Sequence, residues 1–332
     1  MKTILVTGGA GFIGGAILRM AKGRALDCIS LSRRSSPELA ALGVRQIQAD
    51  IRDGKTLTDA FTGVDTVFHT AALAGVWGPW RDYQAINIDG TTNVLAACRA
   101  CGVKDLIYTS TPSVVFDGHD IRGGDESLPY AQRFLCHYAE SKAIAEKMVL
   151  AADGENLKTC AIRPHLVWGP GDPHLLPRLV ARGRAGALSM VGAGDNLVDI
   201  SYIENVAHAH LLAADKLDDT GAPAGKAYFI SQGEPVPLWS WINALFSRLG
   251  IAPIVKKIPF AVAYGLGVVL EVGYRLGNKT DEPPMTRFVA EQLAKSHYFS
   301  IRRASRDLGY QPLVSHEEGL DRAVEWLRTI AP

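Results

Sequence analysis

The chain has almost no excess charge. Its 332 residues carry 35 Lys and Arg against 34 Asp and Glu, a formal net charge of +1. No bulk field therefore draws it to nucleic acid. Cysteine is scarce and odd in number, five residues in all, which excludes a small disulfide scaffold. Cys98-x-x-Cys101 is followed by no second pair and reads as two incidental cysteines at a helix end, so no metal site is expected. The N-terminal apolar run is too short for a signal peptide, and the expected compartment is the reducing cytoplasm. Repeats and low-complexity tracts are absent. Long apolar runs are missing except at Ile258–Leu276, which Glu271 and several glycines interrupt. A span needs ~20 apolar residues. The expectation is a buried helix of a C-terminal lobe, with an exposed apolar lid against lipid or a long-chain substrate as the alternative.

What is present is ordinary globular composition, 47% hydrophobic and 21% charged. Short β-branched runs at Thr3–Thr7, Asp27–Leu31, Thr66–Thr70 and Asp105–Tyr108 alternate with helical stretches at Gly11–Ala21, Leu57–Phe61 and Thr91–Ala100. That order predicts a doubly wound parallel sheet, an α/β Rossmann-like fold. A helix at Tyr138–Ala151 and a strand at Leu157–Ile162, stopped by Pro164, continue it. The expected division is a dinucleotide-binding domain over 1–170, to which the chain returns around 195–230. A smaller, mainly helical substrate lobe would take 171–194 and 231–332.

The first strand runs into Gly8-Gly9-Ala10-Gly11-Phe12-Ile13-Gly14. Gly8 permits the turn, Gly11 lets backbone approach a pyrophosphate, and Gly14 lets the helix close on the strand. A glycine triplet between an N-terminal strand and a helix is a strong sign of dinucleotide binding. Where an NAD enzyme usually has a carboxylate for the ribose 2′-hydroxyl, this chain has Ser32-Arg33-Arg34. A guanidinium grips a 2′-phosphate, so NADP(H) is expected over NAD(H). Asp50 and Ile51 are placed for the adenine, and Ala71 and Ala72 lie under the cofactor.

Tyr138-Ala139-Glu140-Ser141-Lys142 puts a phenol and an ammonium on one helical face. A lysine charge ~5 Å away is worth roughly 3 kcal/mol, which would bring the phenol toward neutral pH. Such a phenol could serve as general acid or base. Thr109-Ser110-Thr111 ends the preceding strand and supplies hydroxyls at the ligand-binding edge of the sheet.

Together TGGAGFIG, YTST, YAESK and RPHLVWGPGD resemble the extended short-chain dehydrogenases/reductases, and more narrowly their 3β-hydroxysteroid dehydrogenase-like branch. YTSTPSV, RPHLVWGPGDPHLLPRL, GKAYFISQGEP and EPPMTRF are similar to the 2-alkyl-3-oxoalkanoate reductases of bacterial olefin biosynthesis. The resemblance implies Tyr138 as acid/base and Lys142 on the nicotinamide ribose. It implies Thr111 as the catalytic hydroxyl, with Ser110 second, and Pro164 and Val167 against the nicotinamide. Asn87 matches an asparagine near the cofactor, or else caps a helix or turn. The implied reaction is NADPH-dependent reduction of a β-keto acid with long alkyl chains. Ile258–Leu276 and residues 285–293 would line the acyl pocket; His174 and Arg178 either meet the substrate carboxylate or, as the favoured alternative, lie in a surface loop. A homodimer is implied, through the helices at Thr91–Ala100 and Tyr138–Ala151. Docking to other olefin-pathway enzymes or peripheral membrane contact is the further partner expectation. Rival readings are a 3β-hydroxysteroid or sterol-4-carboxylate dehydrogenase, a sugar-nucleotide epimerase, and a non-catalytic cofactor sensor.

Overall fold

The computed structural model describes residues 1–330. Its centre is a parallel sheet of seven strands: β1 (Thr3–Thr7), β2 (Asp27–Ser32), β3 (Arg45–Gln48), β4 (Thr66–His69), β5 (Asp105–Thr109), β6 (Lys158–Pro164) and β7 (Lys226–Ile230). The spatial order is β7-β6-β5-β4-β1-β2-β3. Direction of winding reverses between β1 and β4, and ligands bind outside the carboxyl ends of strands at such a point. The register aligns those ends: Thr7 lies beside both Leu31 and His69, and His69 lies beside Tyr108.

The strands read as continuous apolar runs because helices cover both faces. On one face α1 (Phe12–Lys22) packs with a long helix at Ile203–Asp219, and Ile4, Val6, Ile17, Val206 and Leu211 are all wholly buried. The other face is covered by α2 (Gly54–Phe61), α3 (Gly90–Cys101) and α4 (His137–Ala151) over Leu5, Val67 and Leu106. Cys98 and Cys101 fall in the last turn of α3, and all five cysteines are free thiols. Pro164 does not stop its strand early; it is the last residue of β6, paired with Ile230.

A small sheet of Ile121–Gly124, His297–Phe299, Leu197–Val198 and Val236–Pro237 lies outside the main one. Beyond it run α5 (Phe260–Leu276) and α6 (Arg287–Ala294). The expectation of a buried helix at Ile258–Leu276 is overturned. Only Ala263, Gly267 and Glu271 of α5 are buried, while Val262, Leu266, Val269, Val272 and Leu276 are exposed. The helix docks through its small and acidic face. A Cβ on Gly267 would stand 2.7 Å from the backbone of Thr286 and Arg287. The Glu271 carboxylate accepts from the Arg287 backbone N–H at 2.7 Å and from its Nε at 2.9 Å. No described helix is long and apolar enough to cross a membrane.

Candidate active site

The glycine loop forms a bare cradle. Gly8 has φ +72°, and a Cβ on it would stand 2.9 Å from the backbone of Ala71. A Cβ on Gly14 would meet the Gly8 carbonyl oxygen at 2.4 Å. Gly11 caps α1 without a side-chain hydrogen bond, and the first turn holds no acid. Its N–H groups and dipole therefore face the cleft unneutralised, as an anionic pyrophosphate requires. The cleft has a volume of about 550 Å³ and is lined by Gly8, Gly11, Ser32, Arg33, Arg34, Asp50, Ile51, Ala71 and Ala72, among others. The structure thus gathers most of the residues singled out for the cofactor into one cavity. These residues fit a dinucleotide.

At its rim Ser32 Oγ is committed to the Ala10 N–H at 2.9 Å. Asp50 is held by Arg52 in a bidentate pair at 3.0 and 2.7 Å, which draws its carboxyl below the usual range. Arg33 and Arg34 are exposed and have no carboxylate within salt-bridge distance among the described residues. Phe12, Ile13 and Gly14 lie behind the cradle, with Phe12 and Ile13 packed on the main core.

A buried polar chain joins this cleft to α4. Thr7 Oγ1 lies 2.7 Å from His69 Nδ1, and His69 Nε2 lies 3.0 Å from Thr91 Oγ1. Thr91 donates to the Asn87 carbonyl at 2.6 Å, so it accepts from His69 Nε2–H, and Nδ1 accepts from Thr7. Burial pushes His69 down to about 3, which keeps the imidazole neutral. Asn87 sits in a π-helical turn, Gln84–Asp89. Its amide oxygen accepts from the Leu73 N–H at 2.7 Å, and its amide nitrogen donates to the Leu73 carbonyl and to Ser141 Oγ, at 3.1 and 2.9 Å. Asn87 does not line the cleft. It clamps the loop after β4 to α4, a role that needs partners 14 and 54 residues away and so left no mark in the local sequence.

Tyr138 and Lys142 occupy successive turns at the start of α4. Burial lifts the Tyr138 phenol to about 12, against a smaller opposing pull from the Thr111 hydroxyl. Thr111 also caps the short turn Pro112–Val114, accepting from the Ser113 N–H at 3.2 Å. Ser110 is buried, and its hydroxyl has no hydrogen-bond partner. The expected acidification of Tyr138 by Lys142 is not what the structure shows. Lys142 Nζ donates to the Thr109 carbonyl at 2.5 Å and lies 4.0 Å over the Tyr108 ring. Burial lowers it to about 7, against an opposing pull from Glu146. Burial penalises the charged forms of both groups and outweighs their mutual attraction.

One turn further, Glu146 is wholly buried. It accepts from Arg163 Nε and Nη2 at 3.0 and 2.5 Å and from the Tyr130 hydroxyl at 2.7 Å. The sequence reading missed it, although its spacing of four from Lys142 placed it on the same face. Arg163 precedes Pro164 at the end of β6. Beyond it Leu166 takes φ +42°, a left-handed conformation rare for leucine, before Val167 pairs with Ser201.

The two carboxylate candidates are not brought together at Tyr138. His174 lines the dinucleotide cleft, and Arg178 is paired with Glu282 at 3.1 and 2.9 Å. Of residues 285–293, Phe288 belongs to the apolar cluster against which Tyr138 packs, while Met285 and Leu293 pack on the main core. No cluster of three metal-ligating side chains occurs among the described residues.

Residues 5–260 match the 3-beta hydroxysteroid dehydrogenase/isomerase family. A 2-alkyl-3-oxoalkanoate reductase of Shewanella oneidensis is 50% identical over 325 residues, covering 96% of this chain and 84% of that protein. A sterol-4-alpha-carboxylate 3-dehydrogenase (decarboxylating) of Mus musculus is 34% identical over 332 residues, covering 98% and 90%. Among solved structures, a dTDP-glucose 4,6-dehydratase mutant from Streptomyces venezuelae with NAD bound is similar with a TM-score of 0.77 and 25% identity, covering 98% of this chain and 96% of that one.

Proposed function

Since the chain belongs to the 3-beta hydroxysteroid dehydrogenase/isomerase family and is an oxidoreductase of the extended short-chain type, we propose that it uses NADPH to reduce a 2-alkyl-3-oxoalkanoate to the 2-alkyl-3-hydroxyalkanoate. The identity of 50% to a reductase of that name, sustained over 96% of the chain, supports the substrate class. A phenol near 12 is neutral at pH 7, the form that gives a proton to a ketone oxygen.

A nicotinamide held in the cleft would supply the hydride. Tyr138 delivers the proton to the keto oxygen, and the Thr111 hydroxyl beside it steadies the developing negative charge. Ser110, buried with an unused hydroxyl at the same strand end, is the second candidate for that contact. Lys142, on the same helix face as Tyr138, would hold the nicotinamide ribose. Pro164, the last residue of β6, and Val167 would hold the nicotinamide. Arg33 and Arg34, exposed at the cleft rim, would receive the 2′-phosphate. The reaction fits the long-chain olefin pathway and a homodimer built on α3 and α4.

The relative at 34% identity favours a second reading, oxidation of a 4-carboxysterol with NAD. The test incubates the protein with a 2-alkyl-3-keto acid and NADPH, and separately with a 4-carboxysterol and NAD, following the reduced nicotinamide by absorbance. Turnover of the keto acid alone supports the proposal. Turnover of the sterol alone replaces it.

A further inference from the structure

Buried polar atoms without a partner are few in native interiors, and each calls for a reason. Among the described residues, three gather where β5 and β6 end: Ser110 Oγ, Arg163 Nη1 and His165 Nδ1. The Ser110 N–H donates to the Ile162 carbonyl at 2.7 Å, which sets the two strand ends side by side. Arg163 needs no ligand, since its guanidinium lies between the Tyr130 and Phe229 rings and its charge is met by Glu146. Ser110 stands beside Thr111 as the second hydroxyl. His165 is left. It follows Pro164 and is 7% exposed, and its ring is fixed from one side. His297 Nε2–H donates to the Gln292 carbonyl at 2.8 Å, so Nδ1 of His297 is an acceptor. His165 Nε2–H donates to that atom at 3.2 Å, which leaves His165 Nδ1 a bare acceptor. Burial pushes both imidazoles below their ordinary range and keeps the pair neutral.

This pair belongs to the surroundings of the proton donor. The His165 ring meets His297 at 4.8 Å and Phe299 at 5.7 Å, and His297 meets Phe116 at 5.9 Å. Phe116 and Phe299 are members of the apolar cluster against which Tyr138 packs. The 2-alkyl-3-keto acid and the 4-carboxysterol both carry a carboxyl on the carbon next to the reacting one. With the reacting oxygen held at Tyr138, that carboxyl sits in the same apolar enclosure, where a lone negative charge is costly. The nearby cations are committed, Arg163 to Glu146 and Lys142 to the Thr109 carbonyl. On the reading that the substrate is one of these carboxylic acids, we propose that His165 receives its carboxyl group through Nδ1. One proton lies between a carboxyl oxygen and Nδ1, so the pair is free of net charge whichever atom holds it. His297 fixes the tautomer and keeps the ring turned to the ligand.

Whichever acid the protein turns over would be compared with the same molecule lacking its carboxyl, in wild type, His165→Gln and His165→Asn. A glutamine amide falls where Nε2 stood and keeps the bond to His297, whereas an asparagine amide falls where Nδ1 stood and keeps the ligand contact. Wild type should favour the acid at least about a hundredfold in kcat/KM, because a site built around a polar group rejects the analogue without it. His165→Gln should lose at least about tenfold on the acid and stay within about twofold on the analogue, at an unchanged melting temperature. His165→Asn should retain more of the activity on the acid than His165→Gln does. A measurement that needs no variant stands beside these: with histidine nitrogens labelled, the His165 Nδ1 resonance of wild type should move on adding the acid with cofactor, and not on adding the analogue. Equal losses on acid and analogue would show that the ring only supports the fold or holds a water, and would overturn the proposal. So would an unmoved Nδ1 resonance, or a wild type that does not distinguish the two molecules. Turnover of neither acid would remove the substrate reading, and this inference with it.

Discussion

Replacing Lys142 by methionine should abolish turnover and yet stabilise the fold at neutral pH. The lysine is almost fully buried, with Nζ against the Thr109 carbonyl and the Tyr108 ring, and its pKa falls from 10.5 to about 7. In the unfolded chain it is protonated up to its ordinary value. Between about 7 and 10.5 the unfolded state therefore binds a proton that the folded state does not, and stability rises with pH across that window. At about 1.4 kcal/mol per unit, holding this residue costs roughly 4 kcal/mol at pH 7 and about 2 kcal/mol at pH 9. Methionine removes that cost while keeping most of the volume. It also loses a cation–π contact of about 1 kcal/mol and leaves a buried carbonyl without its donor, about 1–2 kcal/mol more. The net expectation is a gain of about 1–2 kcal/mol at pH 7 that shrinks to zero or reverses at pH 9. Urea melts of both proteins at the two pH values measure it. A variant less stable than wild type by the same amount at both would refute the reasoning.

Tyr138→Phe should fold normally and bind the cofactor, but lose at least about a hundredfold in kcat, because only the proton donor is removed; steady-state assays with a cofactor titration separate the two effects. Asn87→Ala should cost about 2–4 kcal/mol in chemical denaturation, since both Leu73 backbone groups and Ser141 lose their partner. Arg163→Met, which strands the Glu146 carboxylate in the core, should cost about 3–5 kcal/mol. That loss should diminish in acid as the carboxyl protonates, and thermal melts across pH would show it. Arg33→Asp should raise KM for NADPH at least about tenfold and leave NADH nearly untouched, as a carboxylate repels a 2′-phosphate; comparing the two coenzymes reads it directly.

Legibility followed the range of the interactions. The glycine loop, the Tyr138–Lys142 pair and the strand-helix alternation depend on neighbours within a few residues, and their positions could be read from spacing alone. The tasks of Asn87 and His69 depend on partners tens of residues away, and a buried polar network has no periodic signature. Hydrophobicity marked Ile258–Leu276 but gave no direction. Which side of α5 turns inward was decided by Gly267, whose missing side chain admits the Thr286–Arg287 backbone, and by Glu271 finding Arg287 there. Spacing puts Lys142 on the helix of Tyr138, but its protonation depends on enclosure, which a one-dimensional string does not state. Arg178 shows the converse: a basic residue in a promising motif was already taken by Glu282, 104 positions later.

The triple grip of Arg163 and Tyr130 on Glu146 has a mechanical corollary. One end of the rivet is set in the central sheet just before the prolyl shelf, and the other is set in the shaft that carries the proton donor two turns up. Breathing motions that displace either part must drag its counterpart along, so the proton donor keeps its distance from that strand end.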